Sequence, residues 1–262
     1  MPRPGNPMPG NPMDVQRYMS RLGLADAGRH DFDWLTRVHE QHLLKVPFEN
    51  LDIGRGVEIV LDEERILHKI VEDERGGFCY ELNTAFAWLL RQLGFRVDLL
   101  SAEVAREDGS FGIPFDHMTL RVELDRVYLA DVGFGDSFRY PIPLETGQEF
   151  EQLGFVYRLR EEEGRWILDR QPTGAAVFHP QYRFNLEPRK LLDFSPGCHY
   201  HQTSPDSHFT QQGMCTIALA DGRVTLLPKR LISTRNGAKT ETSIEGRGEW
   251  KEALRKHFGV TL

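Results

Sequence analysis

The sequence predicts an α+β fold in which helices come first and strands follow. Apolar side chains recur with the helical period over residues 13–94, and from about residue 95 they alternate with polar ones, as in strands. A last hairpin and one helix close the chain. Because helices and strands are grouped along the chain, this order favours an α+β fold over the alternating βαβ units of a parallel sheet.

Four helices are predicted in the first region, and residues that favour a helix start or stop mark their limits. In chain order these residues are Gly23 (stop), Asp33 (start), Pro47 (stop), Asp62 (N-cap) and Gly94 (stop). The fourth helix begins in RGGFCYELN and carries a long apolar face. Residues 13–94 are therefore predicted to form a helical bundle.

Three hairpins are predicted after the bundle. DHMTLRVEL and RVYLADVGF form the first, and GFVYRLREEEGRWILDRQ forms the second around Glu163-Gly164. IALADGRVTLLPKRLIST forms the third, in which Asp221-Gly222 is a strong turn signal. EWKEALRKHFGV is then predicted to be a helix that ends at Gly259.

Composition and charge narrow the class of protein. Of the 262 residues, 40% are hydrophobic and 27% charged, as in ordinary globular proteins. No apolar run is long enough to span a membrane, and the N-terminus lacks a signal-peptide pattern. The formal net charge of -7 argues against nucleic acid or an anionic membrane as the main partner. The protein is therefore predicted to be cytoplasmic, and its three cysteines, which cannot all pair, are predicted to be free thiols. Residues 1–12 contain the PGNPM repeat and are predicted to be a disordered tail.

The stretch RGGFCYELN places Cys79 between a glycine pair and a helix start. The partial positive charge of a helix N-terminus favours a thiolate, so a lowered thiol pKa is expected. Gly76 and Gly77 let the backbone bend sharply and let a substrate approach the sulfur. Cys79 is therefore a candidate nucleophile. The alternative is a small buried side chain that happens to begin a helix.

A nucleophilic cysteine needs a base, and His117 with Asp131 is the candidate pair. His117 opens a regular strand beside the FGIP loop, and Asp131 is a carboxylate in an otherwise apolar strand. A His–Asp pair facing a cysteine at a helix start is a papain-like arrangement. Four other histidines fall in charged helical segments and are expected at the surface: His39, His42, His68 and His257.

The hairpin must place His117 and Asp131 on one face if the carboxylate is to orient the imidazole. Side chains alternate along each strand, so a two-residue turn would put the two residues on opposite faces. We therefore predict a connection with an odd number of residues, or a bulge. The expected loop is Asp125–Val127, which places Arg121 opposite Asp131.

The stretch CHYHQTSPDSHF offers a competing set of metal ligands. Cys198, His199, His201 and His208 could ligate zinc. No second close pair of ligands completes a finger or ribbon pattern. A loop with aromatic and hydroxyl residues is therefore preferred, and no metal is predicted.

Several stretches together resemble the arylamine N-acetyltransferases. They are RGGFCYELN, VPFENLDI (46–53), the DHM around His117, ADVGFG (130–135) and SPDSHF (204–209), and they cover nearly the whole chain after the tail. The resemblance implies a catalytic triad of Cys79, His117 and Asp131. It also implies a papain-like cysteine-triad core in four parts: an N-terminal helical bundle (13–94), a central β-barrel (95–190), an interdomain segment (191–210) and a C-terminal α/β lid (211–262).

The resemblance further implies a ping-pong reaction through an acetyl-cysteine. Cys79 would take the acetyl group from acetyl-CoA and pass it to an arylamine, arylhydrazine or arylhydroxylamine. Three phenylalanines are expected to line the acceptor pocket: Phe48, Phe134 and Phe209. Gly133 and Gly135 suit a backbone that passes close to the acyl group or the pantetheine arm.

Basic residues for the CoA phosphates are expected in LLPKRLISTRNGAK, near the predicted lid. They are Lys229, Arg230 and Arg235, although a solvated hairpin face is the alternative. A structural salt bridge is expected between Arg75, close to the nucleophile, and Glu49 in PFEN.

Three other functions are compatible with parts of this pattern. An amide synthase of the same fold would share the triad and differ in its acyl donor. A cysteine hydrolase or transglutaminase-like enzyme would use water or glutamine. A binding domain would need Cys79 only as a core residue.

Overall fold

The computed structural model describes residues 14–25 and 28–262. The predicted disordered tail, residues 1–12, lies outside the described residues. The remaining chain forms helices, a large curled sheet and a smaller second sheet, and the predicted α+β class is confirmed. The domain boundaries given above stay a prediction.

Among the described residues, the helical part contains five α-helices where four were predicted, and the additional one is α3. Their bounds are α1 Val15–Arg21, α2 Phe32–Lys45, α3 Leu51–Arg55, α4 Glu63–Leu67 and α5 Cys79–Gln92. One π-helical turn, His68–Glu72, continues α4. Helix α5 is buried along most of its length, so it forms the centre of the packed helices. A helix with apolar residues on all sides is stable only when neighbouring elements cover it.

Side chains at the helix starts agree closely with the sequence prediction. The carboxylate of Asp62 accepts a hydrogen bond from the backbone N–H of Arg65 at 3.0 Å, as an N-cap residue does. Helix α2 begins at Phe32, after Asp31 as N-cap, one residue earlier than predicted. Gly94 follows α5 with φ +93°, a conformation that favours glycine at a helix end.

Eight antiparallel strands form a curled, barrel-like sheet in the order β5-β4-β3-β2-β9-β8-β7-β6. Their bounds are β2 Arg96–Val104, β3 His117–Glu123, β4 Val127–Ala130, β5 Ile142–Pro143, β6 Glu149–Gln152, β7 Phe155–Glu162, β8 Arg165–Pro172 and β9 His179–Phe184. The inner face carries a separate apolar core that includes Leu100, Tyr157 and Tyr182. The predicted turn at Glu163-Gly164 is confirmed, since Glu162 pairs with Arg165.

The β3–β4 hairpin shows whether the connection between these strands has an odd number of residues. Glu123 pairs with Val127, so the loop is the three residues from Leu124 to Arg126. The odd length is confirmed, whereas the loop lies one residue earlier than predicted. This register puts Thr119 opposite Asp131 in place of Arg121, and it keeps His117 and Asp131 on one face.

The second sheet joins one short strand of the helical part to four strands near the C-terminus. Its order is β1-β10-β11-β12-β13, with β1 Phe48–Glu49, β10 Cys215–Leu219, β11 Gly222–Leu227, β12 Arg230–Arg235 and β13 Ala238–Ser243. The β10–β11 turn is Ala220-Asp221, because Leu219 pairs with Gly222, so the predicted turn at Asp221-Gly222 was one residue late. Helix α8, Gly246–Phe258, packs on this sheet and ends at Gly259 as predicted.

A short connecting segment lies between the two sheets in sequence. It comprises a 3-10 turn at Leu191–Phe194, helix α6 at Ser195–Thr203 and helix α7 at His208–Gln211. His201 of α6 and Phe209 of α7 contact the residues around the start of α5. The connection therefore forms one wall of the site described next.

Candidate active site

Cys79 is the first residue of α5 and is almost fully buried. The residue before it, Phe78, is held by its backbone N–H, which donates to Glu81 Oε2 at 3.1 Å. This bond satisfies one of the free N–H groups of the helix start and fixes the direction in which Cys79 enters the helix.

Two glycines near the thiol are needed because other chain segments pass very close to them. A Cβ at Gly76 would lie 2.0 Å from the carbonyl oxygen of Pro47. A Cβ at Gly133 would lie 2.8 Å from the Cα of Cys79. The loop that carries Asp131 therefore packs directly on the backbone of the cysteine, and Gly133 makes this approach possible.

A buried ion cluster anchors the loop before Cys79. The guanidinium of Arg75 donates to Glu49 Oε1 at 2.6 Å, which confirms the predicted salt bridge, and to Asp52 Oδ1 at 3.0 Å. Lys69 Nζ lies 2.7 Å from Glu81 Oε1 and 2.8 Å from Asp52 Oδ2. Burial raises the pKa of Glu81 to about 7.

His117 and Asp131 form a fully buried pair, with 2.7 Å between His117 Nε2 and Asp131 Oδ2. The other carboxylate oxygen accepts from Asn83 Nδ2 and from the backbone N–H of Gly133, both at 2.9 Å. Burial alone would raise the pKa of Asp131. His117 and these N–H donors outweigh burial and hold that pKa below its ordinary value. The carboxylate is thus ionised, and Nδ1 is the nitrogen of His117 that is not bonded to Asp131.

Asn83 ties the thiol's helix to the loop of Asp131, and the sequence did not single it out. It lies one turn after Cys79 on the same face of α5. Besides Asp131, its amide donates to the carbonyl of Met118 at 2.6 Å and its oxygen accepts from the N–H of Val132 at 3.0 Å. Each hydrogen-bonding atom of this buried amide therefore holds a segment that carries His117 or Asp131.

His39 and His42 are completely buried, so the expectation that they lie at the surface was wrong. His39 Nδ1 donates to the carbonyl of Arg139 at 2.9 Å, and His39 Nε2 accepts from the backbone N–H of Asp131 at 3.1 Å. These two bonds require the neutral imidazole with its proton on Nδ1. Burial lowers the pKa of His39 to about 4, so the ring stays neutral near pH 7.

For the Cys79 thiol, the structure contradicts the expectation of a lowered pKa. Burial raises its pKa well above the ordinary value, and the carboxylates of Asp116 and Asp131 act in the same direction. The backbone of Met118, hydrogen-bonded to the sulfur, opposes them only in part. The helix terminus therefore does not suffice to ionise the thiol. A thiolate here needs a nearby base to take its proton, and His117 lines the same pocket as Cys79.

A pocket of about 210 Å³ opens onto Cys79 and His117. The three predicted aromatic residues, Phe48, Phe134 and Phe209, all line it. The ring of Phe134 stands edge-on to His117, with 5.2 Å between ring centroids. Apolar walls around a thiol and an imidazole suit a flat aromatic ligand.

One wall of the pocket is polar. The sequence analysis considered some of its residues only as possible metal ligands. His201 Nε2 lies 3.1 Å from Asp116 Oδ1, and His201 Nδ1 lies 3.1 Å from Ser207 Oγ. Cys198 instead contacts Gln202 and the carbonyl of Ile59. In the part of the chain that the structure describes, no three such side chains converge as metal ligands would.

The residues expected to contact the CoA phosphates lie on the β11–β13 part of the second sheet. Arg230 pairs with Glu241 at 3.1 Å and Arg235 with Asp221 at 2.9 Å, while Lys229 occupies the β11–β12 turn. None of the three lines the pocket at Cys79. Gly133 lines that pocket, and Gly135 follows in the same loop with φ +88°.

The fold and this site define a class: an α+β protein in which a buried cysteine at a helix start lies beside a His–Asp pair. Residues 31–262 match the family model described as N-acetyltransferase. The arylamine N-acetyltransferase of Mycolicibacterium smegmatis is 33% identical over 257 residues, which cover 95% of this chain and 93% of that protein. The chain therefore belongs to the arylamine N-acetyltransferase family.

Solved structures agree with this membership. The arylamine N-acetyltransferase of Mycobacterium marinum in complex with CoA superposes with a TM-score of 0.86 at 29% identity, covering 94% of this chain and 93% of that one. An arylamine N-acetyltransferase of Bacillus cereus, described as having a Cys-His-Glu catalytic triad, superposes with a TM-score of 0.88 at 25% identity, covering 95% and 100%. In the present chain, the carboxylate beside His117 belongs to Asp131. No helix among the described residues has the length and apolar character needed to cross a membrane.

Proposed function

We propose that the protein transfers an acetyl group from acetyl-CoA to an arylamine, arylhydrazine or arylhydroxylamine through an acetylated Cys79. Membership of the family supports the reaction. The observation that carries the assignment to residues is that Cys79 and His117 line one pocket, while Asp131 holds the far nitrogen of His117 at 2.7 Å. The alternative of an amide synthase of the same fold is not favoured by the relatives.

The first half-reaction begins with proton transfer from the Cys79 thiol to His117 Nδ1. The thiolate then attacks the carbonyl carbon of the thioester, and a new carbon–sulfur bond forms on Cys79 as the bond to CoA breaks. His117 returns the proton to the departing CoA sulfur. The ionised Asp131 stabilises the imidazolium throughout, because its negative charge faces His117 Nε2 in a buried setting.

The second half-reaction passes the acetyl group to the acceptor. The amine nitrogen attacks the acetyl carbon, His117 Nδ1 takes the amine proton, and the Cys79 sulfur leaves and regains its proton. The aromatic walls of Phe48, Phe134 and Phe209 support an arylamine as acceptor, since its ring can pack against them. Three buried free cysteines support a reducing, cytoplasmic location as part of this proposal.

The proposal is tested by intact-mass measurement after incubation with acetyl-CoA without an acceptor. We expect a gain of one acetyl group, its loss on adding an arylamine, and no gain in Cys79→Ser. Cys198→Ser and Cys215→Ser are the matched controls and should still be labelled, because both thiols lie outside the pocket. Acetylation that persists in Cys79→Ser would contradict the assignment.

A further inference from the structure

The pocket at Cys79 contains an acidic side chain, Asp116, which the reaction described above does not use. Among the described residues that line this pocket, Asp116 is the single carboxylate, and none is a lysine or an arginine. The other titratable groups of the lining are Cys79 itself and three histidines, His117, His201 and His208. A ligand in the pocket therefore meets one carboxylate without a permanently charged cation beside it.

A strained turn carries Asp116 to the pocket. The residue before it, Phe115, has φ +61°, a conformation that bulky side chains rarely adopt. Its N–H donates to Ser101 Oγ at 3.1 Å, and its carbonyl accepts from the hydroxyl of Tyr80 at 2.6 Å. Strained backbone persists only where the surroundings enforce it, and such positions cluster at functional sites. The strain therefore indicates a functional demand on the position of Asp116.

His201 and one backbone N–H hold the carboxylate of Asp116 in place. His201 Nε2 lies 3.1 Å from Asp116 Oδ1 and 3.1 Å from the carbonyl oxygen of the same residue. Both oxygens are acceptors, so this nitrogen carries a proton. Asp116 Oδ2 accepts from the backbone N–H of Val104 at 3.2 Å. Each carboxylate oxygen has about two lone-pair sites, so it can accept a further hydrogen bond from a ligand.

The charge of Asp116 acts inside a small, mostly apolar space. It is one of the groups that raise the pKa of the Cys79 thiol. Its side chain is only 13% exposed, and partly buried charges are screened less than exposed ones. The pocket of about 210 Å³ is smaller than the roughly 300–1,000 Å³ of sites for drug-sized ligands, so one substituted ring suits it. A charged substituent on that ring therefore interacts with Asp116.

We propose that Asp116, held by His201, determines which acceptor is acetylated. It favours aromatic amines whose ring carries a cationic or hydrogen-bond-donating substituent, and it disfavours those with an anionic substituent. The inference rests on the proposed acetyl transfer and adds the selection of its acceptor. The attraction is a charge-assisted hydrogen bond to the carboxylate, and the rejection comes from like charge, two means that specific sites commonly combine.

The test compares three anilines of nearly equal planar shape in the unmodified protein and in Asp116→Asn. They are para-aminobenzamidine, a cation, para-aminobenzamide, which is neutral, and para-aminobenzoate, an anion. Their amines differ in intrinsic reactivity, so each kcat/KM in the variant is divided by its value in the unmodified protein. Relative to the neutral amide, we expect the cation to lose at least about tenfold and the anion to gain at least about tenfold, because attraction and repulsion both disappear.

Two variants separate the charge of Asp116 from a structural role. Asp108→Asn is the matched control, because it removes the same charge from an exposed position of the same β2–β3 connection and should leave all three ratios unchanged. His201→Phe breaks the bond to Oδ1 but keeps the carboxylate on the N–H of Val104, so the preference for the cation should remain. A disturbed turn would impair every acceptor alike. Equal changes for the three acceptors in Asp116→Asn, or a preference lost in full in His201→Phe, would overturn the proposal.

Binding of benzamidine gives a measurement that does not depend on acetyl transfer, since this cation has no aryl amine. Calorimetric titration should show binding that Asp116→Asn weakens at least about tenfold and Asp108→Asn leaves unchanged. If the unmodified protein acetylated none of the three anilines yet bound benzamidine through Asp116, only the proposed acetyl transfer would be contradicted. Acetylation of all three with the same ratios in the unmodified protein and in Asp116→Asn would instead contradict only the selection by Asp116.

Discussion

Two buried polar clusters flank the loop of residues 133–137, and they differ in how completely their hydrogen bonds are made. Around Asp131 both carboxylate oxygens have hydrogen-bond partners, which come from His117, Asn83 and the N–H of Gly133. Around Arg139 and Arg170, two buried N–H donors, Arg139 Nη1 and Arg170 Nε, have no hydrogen-bond partner within residues 14–25 and 28–262. The contrast indicates that the network around Asp131 holds its geometry more firmly, because a satisfied buried network rigidifies its surroundings.

Arg139 belongs to both clusters and shows how closely they are joined. Its backbone carbonyl accepts the proton of His39 Nδ1, which fixes the imidazole beside Asp131. Its side chain meanwhile lines a cavity of about 790 Å³ between the barrel-like sheet and the second sheet. Changes on the satisfied side should therefore alter the geometry of the His117–Asp131 pair and the stability of the fold.

The largest effect is expected for Asp131→Asn, which breaks the satisfied cluster at its centre. An amide cannot stabilise the imidazolium, and it allows the wrong tautomer of His117. In a serine protease the equivalent change lowers kcat about 10⁴-fold, and we expect a loss of about three to four orders of magnitude in acetyl-Cys79 formation. Stopped-flow measurement with acetyl-CoA checks this, and a loss of less than tenfold would remove Asp131 from the catalytic role.

Gly133→Ala should come next, because its Cβ would lie 2.8 Å from the Cα of Cys79. Either the loop or the cysteine must shift, and a displacement of about 1 Å can cost about 10²-fold in rate. Gly54→Ala is the matched control, since a Cβ there meets nothing within 4 Å. Equal activity of the two variants would show that the close approach is not required.

His39→Phe tests whether the distant imidazole supports the satisfied cluster. It leaves the N–H of Asp131 and the C=O of Arg139 buried without partners, at about 1–3 kcal/mol each. We expect the free energy of unfolding, measured in urea, to fall by about 2–4 kcal/mol, with a lower kcat and little change in KM. His68→Phe, at an exposed position, should stay within about 0.5 kcal/mol.

The pH dependence of stability gives the smallest effect. His39 has its pKa lowered to about 4 in the folded protein, against about 6.5 unfolded. The unfolded chain therefore binds a proton as the pH falls below about 6.5 while the folded chain does not, so stability is lost between pH 6.5 and 4. Between pH 7 and pH 5, protonation of this histidine in the unfolded chain lowers the free energy of unfolding by about 2 kcal/mol. Urea unfolding at both pH values checks this, because His39→Phe should lack this part of the loss.

Local patterns in the sequence determined the long helices, the three hairpins and several of the residues that meet around Cys79. Helix α5 begins at Cys79 as its glycines and apolar spacing indicate, and strand alternation required the odd hairpin connection that puts His117 and Asp131 on one face. The family motifs brought out the phenylalanines of the pocket. The helix start and the alternation of strand side chains follow from periodicity and short-range geometry, which a sequence carries directly, whereas the phenylalanines were identified only through the family resemblance.

Only the tertiary structure decided which distant groups complete the two clusters. His39 looked like a surface residue within a charged helix, yet it reaches partners 92 and 100 residues away. The cavity likewise joins guanidinium groups from β8, the loop after Gly135 and the β10–β11 hairpin. Such contacts depend on how the helices and the two sheets pack together. Helix or strand periodicity shows which face of an element is apolar, but it does not show which distant element packs against that face.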